Sequence, residues 1–263
     1  MSHLVDKEMS LLEHLGELRK MIMRSVLGII IFGIVAVFIK DFIFDSVIFG
    51  PKKANFISYQ WFCQVGMDSF CGKVLPFSLE NRTMDGQFSV MMWTCITAGF
   101  IMSFPWILYQ LWLFISPALY QNERKYAVWF IIVSSILFFL GVLFGYFILL
   151  PLSLDFLSGI SVSDEIKNDI DVKSYIGMVK TTSLATGLIF ELPVVIFFLA
   201  KLGLVSDLFL KEYRKYAIIL ILILAAIITP PDFISQIIVA IPMLILYEIS
   251  IFIAKFVQPK QKV

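Results

Sequence analysis

Long apolar blocks alternate with short polar segments along this chain, at roughly 21–40, 88–114, 126–150, 176–200, 215–229 and 234–254. Most of them approach the ~20 residues that a helix needs to cross a bilayer. Inside lipid only helices and closed barrels satisfy their own backbone groups, and these runs lack the alternation of barrel strands. The pattern predicts an all-α, polytopic membrane protein of six transmembrane helices, folded as one membrane domain over 1–263, with short fifth and sixth spans. The block 215–229 would reach only about 22 Å against a hydrocarbon core of about 30 Å. Either the bilayer thins there or the span recruits partners, or else the turn at Pro230 and Pro231 is re-entrant and buried in protein.

Composition agrees with the pattern. The 263 residues are 59% hydrophobic and 16% charged, too apolar for an ordinary soluble domain. A net charge of +1 leaves no basic stripe for nucleic acid. Residues 1–20 are polar and the first apolar run is too long for a signal-peptide core, so the first span is expected to remain as an uncleaved anchor. The N-terminal segment through Arg24, the loop 115–125, the loop 201–214 with its flank and the tail 255–263 hold thirteen of the 21 Lys and Arg residues. The positive-inside rule therefore expects both termini in the cytoplasm. On the outer side, 41–87 is long and rich in Phe, Pro and Trp, which predicts a packed segment, and 151–175 is acidic. Cys63 and Cys71 share the first of these loops, where a disulfide and two free thiols are equally compatible with the sequence; Cys95 lies in a span.

Several polar residues stand out against this background. Ser10 to Arg24 reads as an amphipathic helix leading into the membrane, with Leu11, Leu12, Leu15, Leu18 and Ile22 at helical spacing and Ser10 and Glu13 as a capping box. Glu17 on that helix is either a ligand site or half of an exposed salt bridge with Lys20. Glu123, in the polar segment SPALYQNER, has no base three or four residues away. Ser116 and Pro117 suggest a short helix starting there. Glu191 lies well inside span four, where an ionised group facing lipid costs about 2.5 kcal/mol or more. It must face a polar cavity, find a partner or carry a proton, and its role is either functional or a buried hydrogen bond that fixes the bundle's register. Pro193 next to it predicts a kink, as do Pro105 and Pro242. Gly141 and Gly145 form a GxxxG pair that signals close packing. Asp232 is positioned to cap span six, and Thr229 and Gln236 to form a polar patch across the last hairpin.

Metalloprotease, nucleophile-elbow and phosphate-loop motifs are absent from the sequence, and no Ser/His/Asp set is plausible, so neither catalysis nor a cofactor or metal is expected. A secondary transporter with Glu191 as proton relay is an alternative, but it finds one deep acid and no evident inverted repeat.

HLGELR at 14–19, SPALYQNER at 116–124, FELP at 190–193 and TPPDFISQIIVAIP at 229–242 together resemble the signature segments of the TatC family, the large membrane subunit of the twin-arginine protein translocase. The resemblance implies six spans in a concave bundle in the bacterial cytoplasmic (inner) membrane. It further implies recognition of Arg-Arg signal peptides on folded precursors, export driven by the proton-motive force, oligomerisation within the complex, and TatA- and TatB-type single-span partners. On this resemblance Glu17 and Glu123, with Arg19 and Arg124 beside them, match the signal-binding surface. Glu191 and Pro193 match the intramembrane cavity, and Thr229, Asp232 and Gln236 the docking region for the small subunits.

Overall fold

The computed structural model describes residues 11–67, 70–72, 77–116, 127–160, 163, 169–201, 203–229 and 233–257. Its helices, in chain order, are α1 (Leu11–Phe38), α2 (Ile57–Gln64), α3 (Gly86–Ile115), α4 (Ala127–Phe144), α5 (Leu150–Gly159), α6 (Val172–Ile189), α7 (Leu192–Lys201), α8 (Asp207–Glu212), α9 (Arg214–Ile228) and α10 (Phe233–Val257). A π-helical turn, Gly145–Leu149, joins α4 to α5, and another occupies Ile43–Ile48. Two three-residue strands, β1 (Ser78–Glu80) and β2 (Asp169–Asp171), pair in parallel, which joins the segment after α2 to the one before α6.

Five helical stretches among the described residues are long and apolar enough to cross a membrane: His14–Phe38, Gly86–Ile115, Val128–Gly159, Val172–Lys201 and Ser235–Val257. α9, at 15 residues, is the short element expected at 215–229. The sixth block is not short. α10 has 25 residues, about 37 Å of helix, because the apolar run extends past 254 and Lys255 can snorkel from its last turn. Pro242 and Pro105 sit inside α10 and α3 without ending them. The lead-in and first span are likewise one uninterrupted helix of 28 residues, since nothing in 11–38 breaks it.

The chain divides into two compact units, Met1–Ile39 with Cys95–Ser135, and Lys40–Thr94 with Ile136–Val263. In the first unit α1 packs on α3 at backbone distance. A Cβ placed on Gly99 would meet Gly33 N at 2.6 Å and Ile29 O at 2.8 Å, and one on Gly28 would collide with the Trp106 ring. The same indole donates to the Arg24 carbonyl at 3.1 Å. Trp112 of α3 lies against Phe130 of α4, with ring centroids 5.3 Å apart.

In the second unit the predicted GxxxG pair does what its spacing suggests. A Cβ on Gly141 would stand 2.6 Å from Thr186 O and 2.8 Å from Gly187 Cα, so α4 and α6 touch through their main chains. Small and branched residues of α7, α9 and α10, among them Ala200, Ala225, Ala240 and Ala254, close the buried core around Met243 and Val239.

The described part of the 41–87 segment is packed, as its composition suggests. Tyr59, Phe62, Phe70 and Phe77 are buried. Three phenols donate to consecutive stretches of one strap: Tyr146 to Val47 O (2.6 Å), Tyr175 to Ile48 O (2.8 Å) and Tyr59 to Pro51 O (2.7 Å). Burial pushes the Tyr59 phenol far above its ordinary pKa, so it remains a donor. Cys63 and Cys71 are joined in a disulfide, Cα to Cα 5.0 Å, which resolves the two alternatives the sequence left open.

Two consequences can be measured. Gly141→Leu should destabilise the protein by about 1–3 kcal/mol, read from thermal unfolding in detergent, because the α4–α6 main chains have no room to yield. A Tm equal to that of the parent chain would show that the helices can separate without loss. Reducing the disulfide, which closes a small loop with a sequence separation of 8, should lower the stability of its segment by about 2–3 kcal/mol. Hydrogen exchange across α2 reports this directly, and unchanged protection would assign the stability to the aromatic cluster instead.

Candidate functional site

The residues singled out by sequence fall in both units. In the first, Glu17 lies on the exposed side of α1 and bonds Lys20 Nζ at 2.8 Å, one turn along the same helix. Its carboxylate and the Lys20 ammonium are both about half exposed (50% and 57%), so the pair is a surface pair that an incoming guanidinium could replace. Arg19 is exposed too, two positions on and therefore turned toward a different side of the helix. His14, one turn before Glu17, stacks on Phe114 with ring centroids 4.7 Å apart. That contact brings the HLGELR segment of α1 to the end of α3, two residues before the SPALYQNER segment begins at Ser116. Glu123 and Arg124 lie outside the described residues, as does Ser10.

In the second unit the fourth apolar block breaks into two helices at Phe190 and Glu191. Pro193 has no N–H to continue the ladder. The chain tightens instead: Glu191 N donates to Leu188 O at 3.2 Å, and the Glu191 carbonyl accepts from both Val194 N and Val195 N at 3.0 Å. The expected kink is thus a break, and Glu191 sits at it with 8% of its surface exposed. Phe190 beside it packs on Phe144, with ring centroids 5.6 Å apart. Lys180 is eleven residues earlier, about 16 Å along a helix, too far to form a direct ion pair with Glu191. The break places a buried carboxyl group at the middle of an apolar element, where the irregular backbone is enclosed by protein.

The last hairpin uses its polar residues internally. Thr229 donates to Ala225 O at 2.9 Å and is buried. Gln236 Nε2 crosses from α10 to Leu222 O on α9 at 3.1 Å. Arg214, the first residue of α9, is joined to Glu248 at 2.7 Å, so α9 is tied to α10 at its start and again at its middle. α9 presents Ile219, Leu220, Ile223 and Ile227, all exposed. Asp232 lies outside the described residues. Among the described residues no group of three or more His, Cys, Asp or Glu is gathered as a metal site would require.

Sequence reasoning missed the three tyrosine anchors. Two of them, Tyr146 and Tyr175, reach carbonyls 99 and 127 residues away, which no local spacing reveals.

A protein-family model described as Sec-independent protein translocase protein (TatC) matches residues 13–242. The chain is 43% identical over 260 residues to the Sec-independent protein translocase protein TatC of Blattabacterium sp. subsp. Periplaneta americana, covering 97% of this chain and 98% of that relative. It is 36% identical over 255 residues to TatCy of Bacillus subtilis, covering 97% and 92%. Among solved structures it resembles a crystal structure of the twin arginine translocase receptor TatC, with a TM-score of 0.69 at 32% identity over 93% of this chain and 99% of the other. A second crystal structure of that receptor, in DDM, gives a TM-score of 0.74 at 33% identity over 92% and 99%. The motifs quoted from the sequence fall inside the matched region, and the chain belongs to the TatC family of Sec-independent protein translocase proteins.

Proposed function

We propose that this chain is the signal-peptide receptor and core subunit of a twin-arginine translocase, a six-span protein of a bacterial cytoplasmic membrane with both termini inside. Glu17 and Glu123 form the docking point for the paired arginines, with Arg19 and Arg124 on the same surface. The observation that carries this reading is the His14–Phe114 contact, which holds the two acidic segments' origins together. A guanidinium keeps its charge and presents a planar fork to carboxylates, so two acids on an otherwise basic rim favour a neighbouring Arg pair over scattered bases. The Glu17–Lys20 pair is weak enough at the surface to be exchanged for such a ligand. The Cys63–Cys71 disulfide supports the orientation, since such bonds persist in oxidising compartments and this one lies in the segment assigned to the outer side.

Glu191 and Pro193 form the polar break that the signal peptide's apolar segment meets within the membrane. The exposed apolar stripe of α9, with Thr229, Asp232 and Gln236 around the hairpin, is the docking region for TatA- and TatB-type single-span subunits. Several copies of the chain assemble in the complex, and the proton-motive force drives export of the folded precursor.

Glu123→Ala should weaken capture of a twin-arginine precursor about tenfold, and Glu17→Ala less, with membrane insertion intact. Photocrosslinkers at positions 17 and 123, read against precursors bearing Arg-Arg or Lys-Lys, measure this; crosslinking unchanged in both variants removes the assignment. Glu191→Gln should transport better than Glu191→Leu, because a neutral amide still satisfies a polar break. Equal loss in the two would mean that the charge itself is required.

A further inference from the structure

The strap held by the tyrosine anchors carries a feature that signal recognition leaves unused. Phe49, Lys52, Lys53 and Leu79 line a cavity of about 450 Å³. Its floor is apolar. Phe49 stacks on Tyr175, with ring centroids 6.2 Å apart, and Leu79 belongs to β1, which β2 holds in register. Its polar groups are cationic. Lys52 Nζ stands over the Phe77 ring, 5.6 Å from its centroid, a contact that fixes the ammonium without neutralising it. Lys53 Nζ donates one N–H to the Asp45 carbonyl at 2.8 Å, which leaves two of its three donors to meet a ligand.

The depth of the cavity follows from its anchors. Tyr146 rises from the π turn of the third apolar stretch and Tyr175 from the first turn of α6, and both grip the strap immediately before Phe49. Phe42 and Trp61 are exposed on the same segment. An exposed tryptophan favours the level where headgroups meet hydrocarbon, and on that reading the two lysines stand at headgroup level above an apolar floor. Lysines at that level attract anionic lipid, and the bilayer itself keeps the ligand within reach.

We propose that this cavity binds the phosphodiester headgroup of an anionic phospholipid from the leaflet that meets the disulfide-bearing segment. Lys52 and Lys53 hold the phosphate, and Phe49 and Leu79 receive the glycerol and the first methylenes.

Native mass spectrometry of the full chain in detergent, titrated with phosphatidylglycerol or phosphatidylcholine, tests this. The Lys52→Gln/Lys53→Gln variant should lose phosphatidylglycerol affinity on the order of 30-fold, with phosphatidylcholine unaffected. Lys52→Arg/Lys53→Arg should retain it, which separates lost charge from lost fold. Lys211→Gln/Lys215→Gln should behave as the parent chain. A change below about threefold in the glutamine pair overturns the proposal. So does an equal loss in the Lys211/Lys215 pair, or displacement of the lipid by inorganic phosphate at equal concentration, which would mean a phosphate site indifferent to lipid.

Discussion

Helices inside lipid gain nothing from hiding apolar surface, because the tails around them are as apolar as leucine. Their association depends on how closely their main chains can approach, and in this protein that approach is set by glycine. Gly33 and Gly99 bring α1 onto α3, and Gly141 brings α4 onto Gly187 of α6. Dispersion and main-chain contact at these points fix the register of each unit. Two of the features described above lie beside these contacts: His14 stacks on Phe114 where α1 and α3 already touch, and the break at Glu191 begins one turn after the glycine contact of α6. Chemistry here is a consequence of close packing more than of any dedicated scaffold.

The family assignment makes the protein a multi-pass membrane component of a protein translocase, a transport protein and not a catalytic one. The polar inventory is in keeping with transport. The described carboxylates singled out by sequence are placed on a surface helix and at a helix break. A buried acid beside a proline is costly to keep in a span, and its placement at an interruption of the helix, with its carbonyl turned to two N–H groups, lowers the local backbone cost.

Much of this was readable from sequence where the signal is local. Apolar runs mark the spans, the Gly141–Gly145 spacing marks a contact, and Pro193 marks the break at Glu191. The Glu17–Lys20 pair is legible because three residues on one helix face are neighbours by geometry alone. What depends on distant partners was not legible. Gly33 and Gly99 belong to different helices and look like any other glycines. The three-residue strands β1 and β2 are too short to leave a pattern. Thr229 and Gln236 read as a polar patch across the hairpin, but the particular acceptors they use, the Ala225 and Leu222 carbonyls, could not be picked out from spacing. The length of α10 was underread because a terminal lysine looked like an end when its stem can lie along the helix.

The tyrosine anchors carry one more implication. Every acceptor they use is a main-chain oxygen, at Val47, Ile48 and Pro51, and never a side chain. A carbonyl is present whatever amino acid occupies the position. The strap can therefore change its side chains at Val47 and Ile48 while Tyr146 and Tyr175, reaching from the helices, keep their hold on it.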